Sequence, residues 1–217
     1  MEKVRVSNGR DIALVLLIAL VLVLLPANMS PSPAGAQAAP PDLSRTEMIQ
    51  LLASIPGGRQ VRLRGIDLNN VDLSLLDFDM ANMAYSNLRY TDLSSAVLTN
   101  SIFTGADMTY ANLSGADLTG ADLHEADLSF TVLSGATLDG ANLSSTTMAN
   151  TDLTGARLNN INLQGATLTE VDFTGASLAF VRIQDAQLVN IILPDGTAYV
   201  PGDDLSQFGF TGMPLEQ

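Results

Sequence analysis

The chain has 217 residues, a formal charge of −13, 5% aromatic residues, and neither Trp nor Cys. Without Cys it has no disulfides, no thiolate metal site and no Cys nucleophile. Its negative charge disfavours nucleic acid and anionic lipid as partners and leaves two roles, binding basic partners and keeping the molecule soluble. An apolar content of 47% carried mainly by Leu and Ala implies a repetitive interior.

Lys3, Arg5 and Arg10 precede an apolar run from Ile12 to Leu25, which Pro26 ends. A Pro/Ser/Ala stretch follows and closes in Ala34-Gly-Ala-Gln-Ala38. A basic segment, a short apolar run and an A-x-A site predict a signal peptide over residues 1–38, with Ala36 and Ala38 marking the cut. The run is shorter than the roughly 20 apolar residues of a membrane span. An uncleaved anchor is the competing reading; both place the remaining chain across a membrane, because the basic residues precede the apolar run. There is no twin-Arg motif and no Cys for a lipid anchor. After cleavage the chain carries seven Arg, no Lys and twenty-one acidic residues, a net charge of −14.

Residues 39–60 read as a linker and a capping helix. Ala39-Pro-Pro41 is extended. Ser44 with Glu47 predicts a capping box, and Leu43 with Met48 a hydrophobic staple. Met48, Leu51, Leu52 and Ile55 fall at i, i+3, i+4 and i+7, one apolar face. Pro56-Gly-Gly58 ends the helix. Too short to be stable alone, the helix is expected to lie over an open end of the domain that begins at Val61; a partner-binding helix is the alternative.

Residues 61–195 divide by fives without a gap, from Val-Arg-Leu-Arg-Gly65 to Ile-Ile-Leu-Pro-Asp195. All 27 central positions, Leu63 through Leu193, are Leu, Phe, Met or Ile, with Leu in 20. Two residues earlier, 13 of 27 are Ala; the position between is Asp or Asn in 15. A register held this long marks a repeat architecture. A period of five fits neither a helix nor a plain strand. It fits a short extended piece and a turn, with the central residue and the small residue before it inward and the other three positions outward. Asp and Asn side chains bond nearby backbone in turns, and the Gly at many fifth positions relieves tight backbone. Bulkier residues take the small slot at both ends of the run: Val61, Ile66, Val71 and Leu76, then Ile161, Val171, Val181 and Ile191.

The pattern A-(D/N)-L-x-x over Val61–Asp195 resembles the pentapeptide-repeat family. The resemblance implies an all-β fold, a right-handed quadrilateral β-helix with four pentapeptides per coil, here preceded by the short α-helical cap. At about 4.8 Å per coil the rod is roughly 30 Å long. Family members suggest two uses, and the Asp ladders and outward rings of this sequence a third. One is a structural or protein-binding module in the periplasm or the thylakoid lumen. The second is an acidic rod that mimics DNA and inhibits gyrase, a cytosolic target that the leader argues against. The third is a cation- or glycan-binding scaffold.

Residues 196–217 form a C-terminal cap or tail. Leu193-Pro-Asp-Gly-Thr197 and Pro201-Gly-Asp-Asp204 predict turns. Tyr199, Val200, Leu205, Phe208 and Phe210 supply apolar groups. Phe208 and Phe210 serve either the cap or, since some family members pair rods at this end, an end-to-end homodimer; otherwise the rod is monomeric.

No constellation points to catalysis, a cofactor or a metal. His124 is the single histidine, in an outward slot, which is solvated surface far more often than base or ligand. Asp72 and Asp92, Asp107 and Asp127, and Asp152 and Asp172 stack one coil apart, a place for a hard cation or a solvated ladder. The unusual outward feature is aromatic. Tyr90, Tyr110 and Phe130 share one slot on successive coils and are expected to stack as a ladder, read as structural packing or as a protein-binding stripe. Tyr85 and Phe180 hold that slot on other faces. Val97, Ile102 and Val132 break the outward Asp/Asn rule and are expected to widen the apolar patch.

Overall fold

The structure, a computed structural model, describes residues 41–54 and 60–212. The expected signal peptide with Ala36 and Ala38, Ile55 and the Pro56-Gly-Gly58 stop lie outside the described residues. Among the described residues no helix is long and apolar enough to cross a membrane.

Each pentapeptide makes one wall of a square coil and each coil takes twenty residues, so Arg62 bridges Asn82, Asp67 bridges Asn87, and Asp72 bridges Asp92, all parallel. We number the walls by their first central residues: Leu63 on the first, Leu68 on the second, Leu73 on the third, Phe78 on the fourth. Backbone bonds run along the axis. The amide of Leu68 donates to the carbonyl of Asn87 (2.8 Å), Asn70 to Arg89 (2.8 Å), and Asn87 back to Ile66 (2.9 Å). The result is a right-handed four-sided β-helix. Its core is the column of central residues with the small residues between them: Leu68, Leu88, Met108 and Leu128 are wholly buried, and Ala81, Ala111 and Ala121 equally so. Each buried Leu contributes roughly 1.5–3 kcal/mol.

The corner is a β-turn. The amide of Ala111 donates to the carbonyl of Met108 (3.0 Å), and the residue between, Tyr110, has φ 63°. A positive φ here, with Thr109 before it outside the left-handed region, matches a type II turn. All fifteen Asp and Asn residues at the position before the central one accept a hydrogen bond at Oδ1 from the amide two residues on, as Asp107 does from Thr109 (3.1 Å) and Asn112 from Ser114 (3.1 Å). That bond bends the chain early. Five repeats stay extended for three residues, Thr147–Ala149, Arg157–Asn159, Thr167–Thr169, Ser177–Ala179 and Gln187–Val189, and none has Asp or Asn in that slot.

The ends need other partners for backbone groups that have no next coil. Helix α1 (Arg45–Ser54) lies against the first coil, with Leu43, Met48 and Leu51 buried in the common core. Ser44 and Glu47 form the capping box: the Ser44 amide and hydroxyl both donate to Glu47 Oε2 (2.8 and 2.7 Å). Below the first coil, the Asp42 amide donates to the Asp67 carbonyl (2.7 Å) and Asp42 Oδ2 accepts from the Asp67 amide (2.7 Å). Arg45 donates to the carbonyls of Asp72 and Ser74 and to the Asp72 carboxylate (2.7 Å). Two side chains thus imitate a missing coil.

At the other end the chain turns back at Asp195-Gly196, and Ala198 bridges Ile192 antiparallel. A 3₁₀ turn, Leu205–Phe208, is capped by Asp204. Phe210–Thr211 then pairs in parallel with Val181–Arg182. Gly209 is obligatory here: its φ is 83°, and a Cβ would stand 2.5 Å from the Leu178 carbonyl oxygen. Phe210 is buried edge-on against Phe173 (centroids 6.0 Å apart), and Phe208 packs half-buried on the same core. Both residues therefore lie in this chain's own cap, and Phe210 has no surface left for a second copy.

Carboxylates with lowered pKa stand at both ends: Glu47, through the Ser44 hydroxyl and amide; Asp72, through the Ser74 hydroxyl and amide with Arg45 nearby; Asp195, through Thr197; Asp204, through Ser206. A carboxylate whose folded pKa lies below its unfolded value stabilises the fold above that unfolded value and ceases to as pH falls through the folded one. Acidification from about pH 6 to about pH 3 is therefore expected to raise hydrogen exchange, corrected for intrinsic rate, in 45–54 and 197–211 before 86–190. Glu47→Gln, which keeps a capping side chain without the charge, should reduce that response in 45–54. Leu123 is 1% exposed in mid-rod. Leu123→Asp is expected to abolish the cooperative thermal transition, because the buried charge has no partner, whereas Leu123→Ala should keep the transition at a cost of about 2–5 kcal/mol.

Candidate functional site

The fifth residue of every repeat but the last adopts the left-handed conformation, which Gly takes freely and Asn at little cost. Gly holds nine of these corners. Bulky side chains there cost roughly 1–2 kcal/mol each, so a run of aromatic corners calls for a physical reason. Tyr90, Tyr110 and Phe130 occupy the corner between the second and third walls on three successive coils, with φ of 56°, 63° and 60°. Their rings stack: centroids are 4.9 Å apart for Tyr90–Tyr110 and 4.7 Å for Tyr110–Phe130, with interplanar angles of 8° and 7°. The spacing is the coil rise itself. The ladder stays 43–51% exposed. With the facing ring surfaces covered by each other, the ring edges, two of them bearing phenol hydroxyls, form a largely apolar ridge about 10 Å long.

The residues beneath the ridge are themselves buried or hydrogen-bonded. Thr109 and Ser129, in outward slots, are buried beside the rings. Thr91 and Thr131, next in chain after Tyr90 and Phe130, are buried in the slot that Ala fills most often, and each hydroxyl donates to a carbonyl one coil below: Leu68 (2.9 Å) and Met108 (3.0 Å). Arg89 lies beside the ladder, its guanidinium carbon 5.5 Å from the Tyr90 centroid and 6.0 Å from that of Tyr110, and donates to Asp107 (3.3 Å). Asp107, and then Tyr90, hold the Arg89 pKa above its ordinary value. Cation–π contact at an exposed site is worth about 0.5–1 kcal/mol.

Tyr85 lies apart, on the corner after the first wall, sandwiched between Arg64 (4.6 Å to the centroid) and Gly105, whose hypothetical Cβ would sit 2.7 Å from Tyr85 Cε1. Phe180, 71% exposed, borders a shallow depression of about 290 Å³ with Asn160, Arg182 and Thr211. Val97, Ile102 and Val132 do not widen one patch. Val97 stacks between Asp77 and Asp117 on the fourth wall, Ile102 between Asn82 and Asp122 on the first, and Val132 between Asn112 and Asp152 on the third. Five-residue steps put them on different walls, and Val132 alone neighbours the ladder.

His124 Nδ1 is 3.0 Å from the Ser144 carbonyl and Nε2 3.4 Å from Glu125. The stacked Asp pairs are bridged as expected, and their Oδ1 atoms serve the turns. Among the described residues no three His, Cys, Asp or Glu side chains converge on a metal position. Arg89 and Arg64 escaped sequence reasoning, although each sits in the slot next to an aromatic corner or one coil below it.

The family model for pentapeptide repeats matches in eight copies, at residues 86–124, 121–160 and 156–193. The chain belongs to the pentapeptide-repeat family. No curated protein matches this pentapeptide-repeat chain. Among solved structures it is similar to HetL, a pentapeptide repeat protein involved in heterocyst differentiation regulation from the cyanobacterium Nostoc sp. strain PCC 7120, with 24% identity over 72% of this chain and 100% of that one, TM-score 0.26. It is similar to a pentapeptide repeat protein of the Arabidopsis thaliana thylakoid lumen, with 26% identity over 63% and 86%, TM-score 0.31. It is also similar to QnrB1, a plasmid-mediated fluoroquinolone resistance protein, with 15% identity over 61% and 82%, TM-score 0.32.

Tyr110→Asn is a direct measure of what the ladder contributes to the rod. It removes two ring stacks, each worth roughly 0.5–1.5 kcal/mol, and relieves about 1 kcal/mol of left-handed strain. The expected net loss by thermal or denaturant melt is about 0–2 kcal/mol. Gly105→Ala, which drives a methyl into Tyr85, is expected to lower Tm more than Gly135→Ala, where nothing lies within 4 Å of the added Cβ.

Proposed function

We propose that this chain is a non-enzymatic, exported scaffold that binds another protein through the Tyr90–Tyr110–Phe130 ridge, in a periplasm or thylakoid lumen. One observation carries the reading. Three aromatic side chains occupy consecutive corners that Gly or Asn fills at lower cost, and they keep their edges in water. Stacking offsets that strain without requiring exposure, whereas exposed aromatics on a rigid support are what protein interfaces are enriched in. The basic and apolar leader of residues 1–38 supports export, and no group of residues in the rod supports catalysis. Phe208 and Phe210 act in the C-terminal cap.

The test begins with the full chain, expressed with its native N-terminus in a related bacterial host and fractionated. The exported fraction should contain a chain beginning near Ala39, or an intact one held in the membrane. Native size separation of that fraction should place the wild type in a complex heavier than the free rod. The combined variant Tyr90→Asn, Tyr110→Asn, Phe130→Asn should be exported and fold but elute as the free rod. An intact cytosolic chain would contradict export and return the acidic rod to the gyrase reading. An unchanged heavy complex in the triple variant would contradict the ridge.

A further inference from the structure

The walls on either side of the ridge carry one sign of charge almost alone. On the second and third walls of the coils from Ser86 to Gly155, the charged residues are Asp92, Asp107, Asp127 and Asp152, with Arg89 as the single cation. Asp107 and Asp127 stack on the second wall, on one side of the ridge; Asp92 and Asp152 lie on the third, on the other. Arg89 is already engaged by Asp107 and the two tyrosines. Each of the other three carboxylates spends Oδ1 on the backbone turn. Its second oxygen accepts no hydrogen bond among the described residues. An apolar strip bordered on both sides by carboxylates complements an apolar strip bordered on both sides by ammonium or guanidinium groups, and it repels acidic surfaces, nucleic acid and anionic lipid.

Resting on the reading of the ridge as a protein-binding stripe, we infer that its partner is a cationic amphipathic protein segment, whose apolar side chains cover the three ring edges while Lys or Arg on both flanks meet Asp92, Asp127 and Asp152. The partner's dimensions suit a short helix: apolar residues at i, i+4 and i+7 span about 10.5 Å, close to the length of the ridge. The carboxylates are separable from the fold. Asn82, Asn87, Asn112, Asn142 and Asn162 make the same side-chain-to-backbone turn bond that the aspartates make. Asp→Asn at these positions therefore removes charge and keeps the corner.

The probe is a synthetic helix of about 15 residues with a Leu stripe flanked by Lys, compared with a Leu/Glu counterpart, titrated calorimetrically against the purified mature chain. The wild type is expected to bind the Leu/Lys peptide and not the Leu/Glu one, more weakly as salt rises. The triple Asn variant of the ridge should bind at least about tenfold more weakly. Asp92→Asn/Asp127→Asn/Asp152→Asn should bind at least about fivefold more weakly. Asp77→Asn/Asp117→Asn/Asp122→Asn, which removes the same charge from the other two walls, should change binding little. Circular dichroism and Tm must show all variants folded. Equal weakening by the two Asp→Asn sets would reduce the effect to net charge and overturn the inference, as would failure of the Leu/Lys peptide to bind. Loss with the ridge variant but not with Asp92/Asp127/Asp152 would overturn the inference and leave the ridge as an interface. Unchanged binding to the ridge variant would overturn both.

Discussion

The fifth residue of every repeat from Gly65 to Asn190 turns left-handed, and everything else depends on that corner. The turn returns the chain to its starting height plus one strand spacing after four walls, so amides along the walls meet carbonyls nineteen or twenty-one residues away. Because this bonding runs along the axis, no wall is stable without the coil above or below it, and the two ends become the points where the fold must be completed by something else. The protein completes them differently. Asp42 and Arg45 imitate backbone at one end; at the other the chain itself returns as a hairpin, a 3₁₀ turn and a short parallel strand.

Much of this was legible in the residues, for a simple reason. A period of five with four walls assigns each position one environment, so the buried columns, the Asx turns and the stacking of Tyr90, Tyr110 and Phe130 come from counting. The capping box of Ser44 and Glu47 was equally readable, because it depends on a local spacing. The parts that leave the period were not readable. The last strand pairs Phe210 with Val181, twenty-nine residues back rather than twenty, since the excursion through residues 196–204 has no repeat to count by. Val97, Ile102 and Val132 look like one group in the sequence and fall on three walls. Arg89 belongs to the site through the direction of its side chain, which a slot assignment alone does not supply. The split between tight and extended repeats is a further case. It tracks the absence of Asp or Asn at positions such as 147 and 157, yet Val97 and Val132 make tight corners without that side chain.

The acidic columns have two tasks at once. Their Oδ1 atoms shape the corners, which explains why Asp and Asn interchange along the rod; the charge is surplus to that task. Surplus charge keeps a rod of buried Leu and Ala soluble, and beside the ridge it also selects the sign of what approaches. The ridge has the opposite economy, since its rings strain the corner and gain part of that back by stacking. A scaffold assembled this way holds three aromatic side chains at 4.7–4.9 Å intervals. That suits recognition.

Under the proposed function one corner of the rod, and not its surface at large, meets a partner. Residues 125, 130, 135 and 140 are the four corners of a single coil, all left-handed, with open space at Gly135 and Gly140. A photoreactive p-benzoylphenylalanine placed at each in turn, in cells that export the full chain, samples the four directions under identical conditions. A discrete crosslinked adduct at position 130, with little or none at 135 and 140, is the predicted result. Adducts of equal intensity at all four corners, or at 135 or 140 but not at 130, would contradict it.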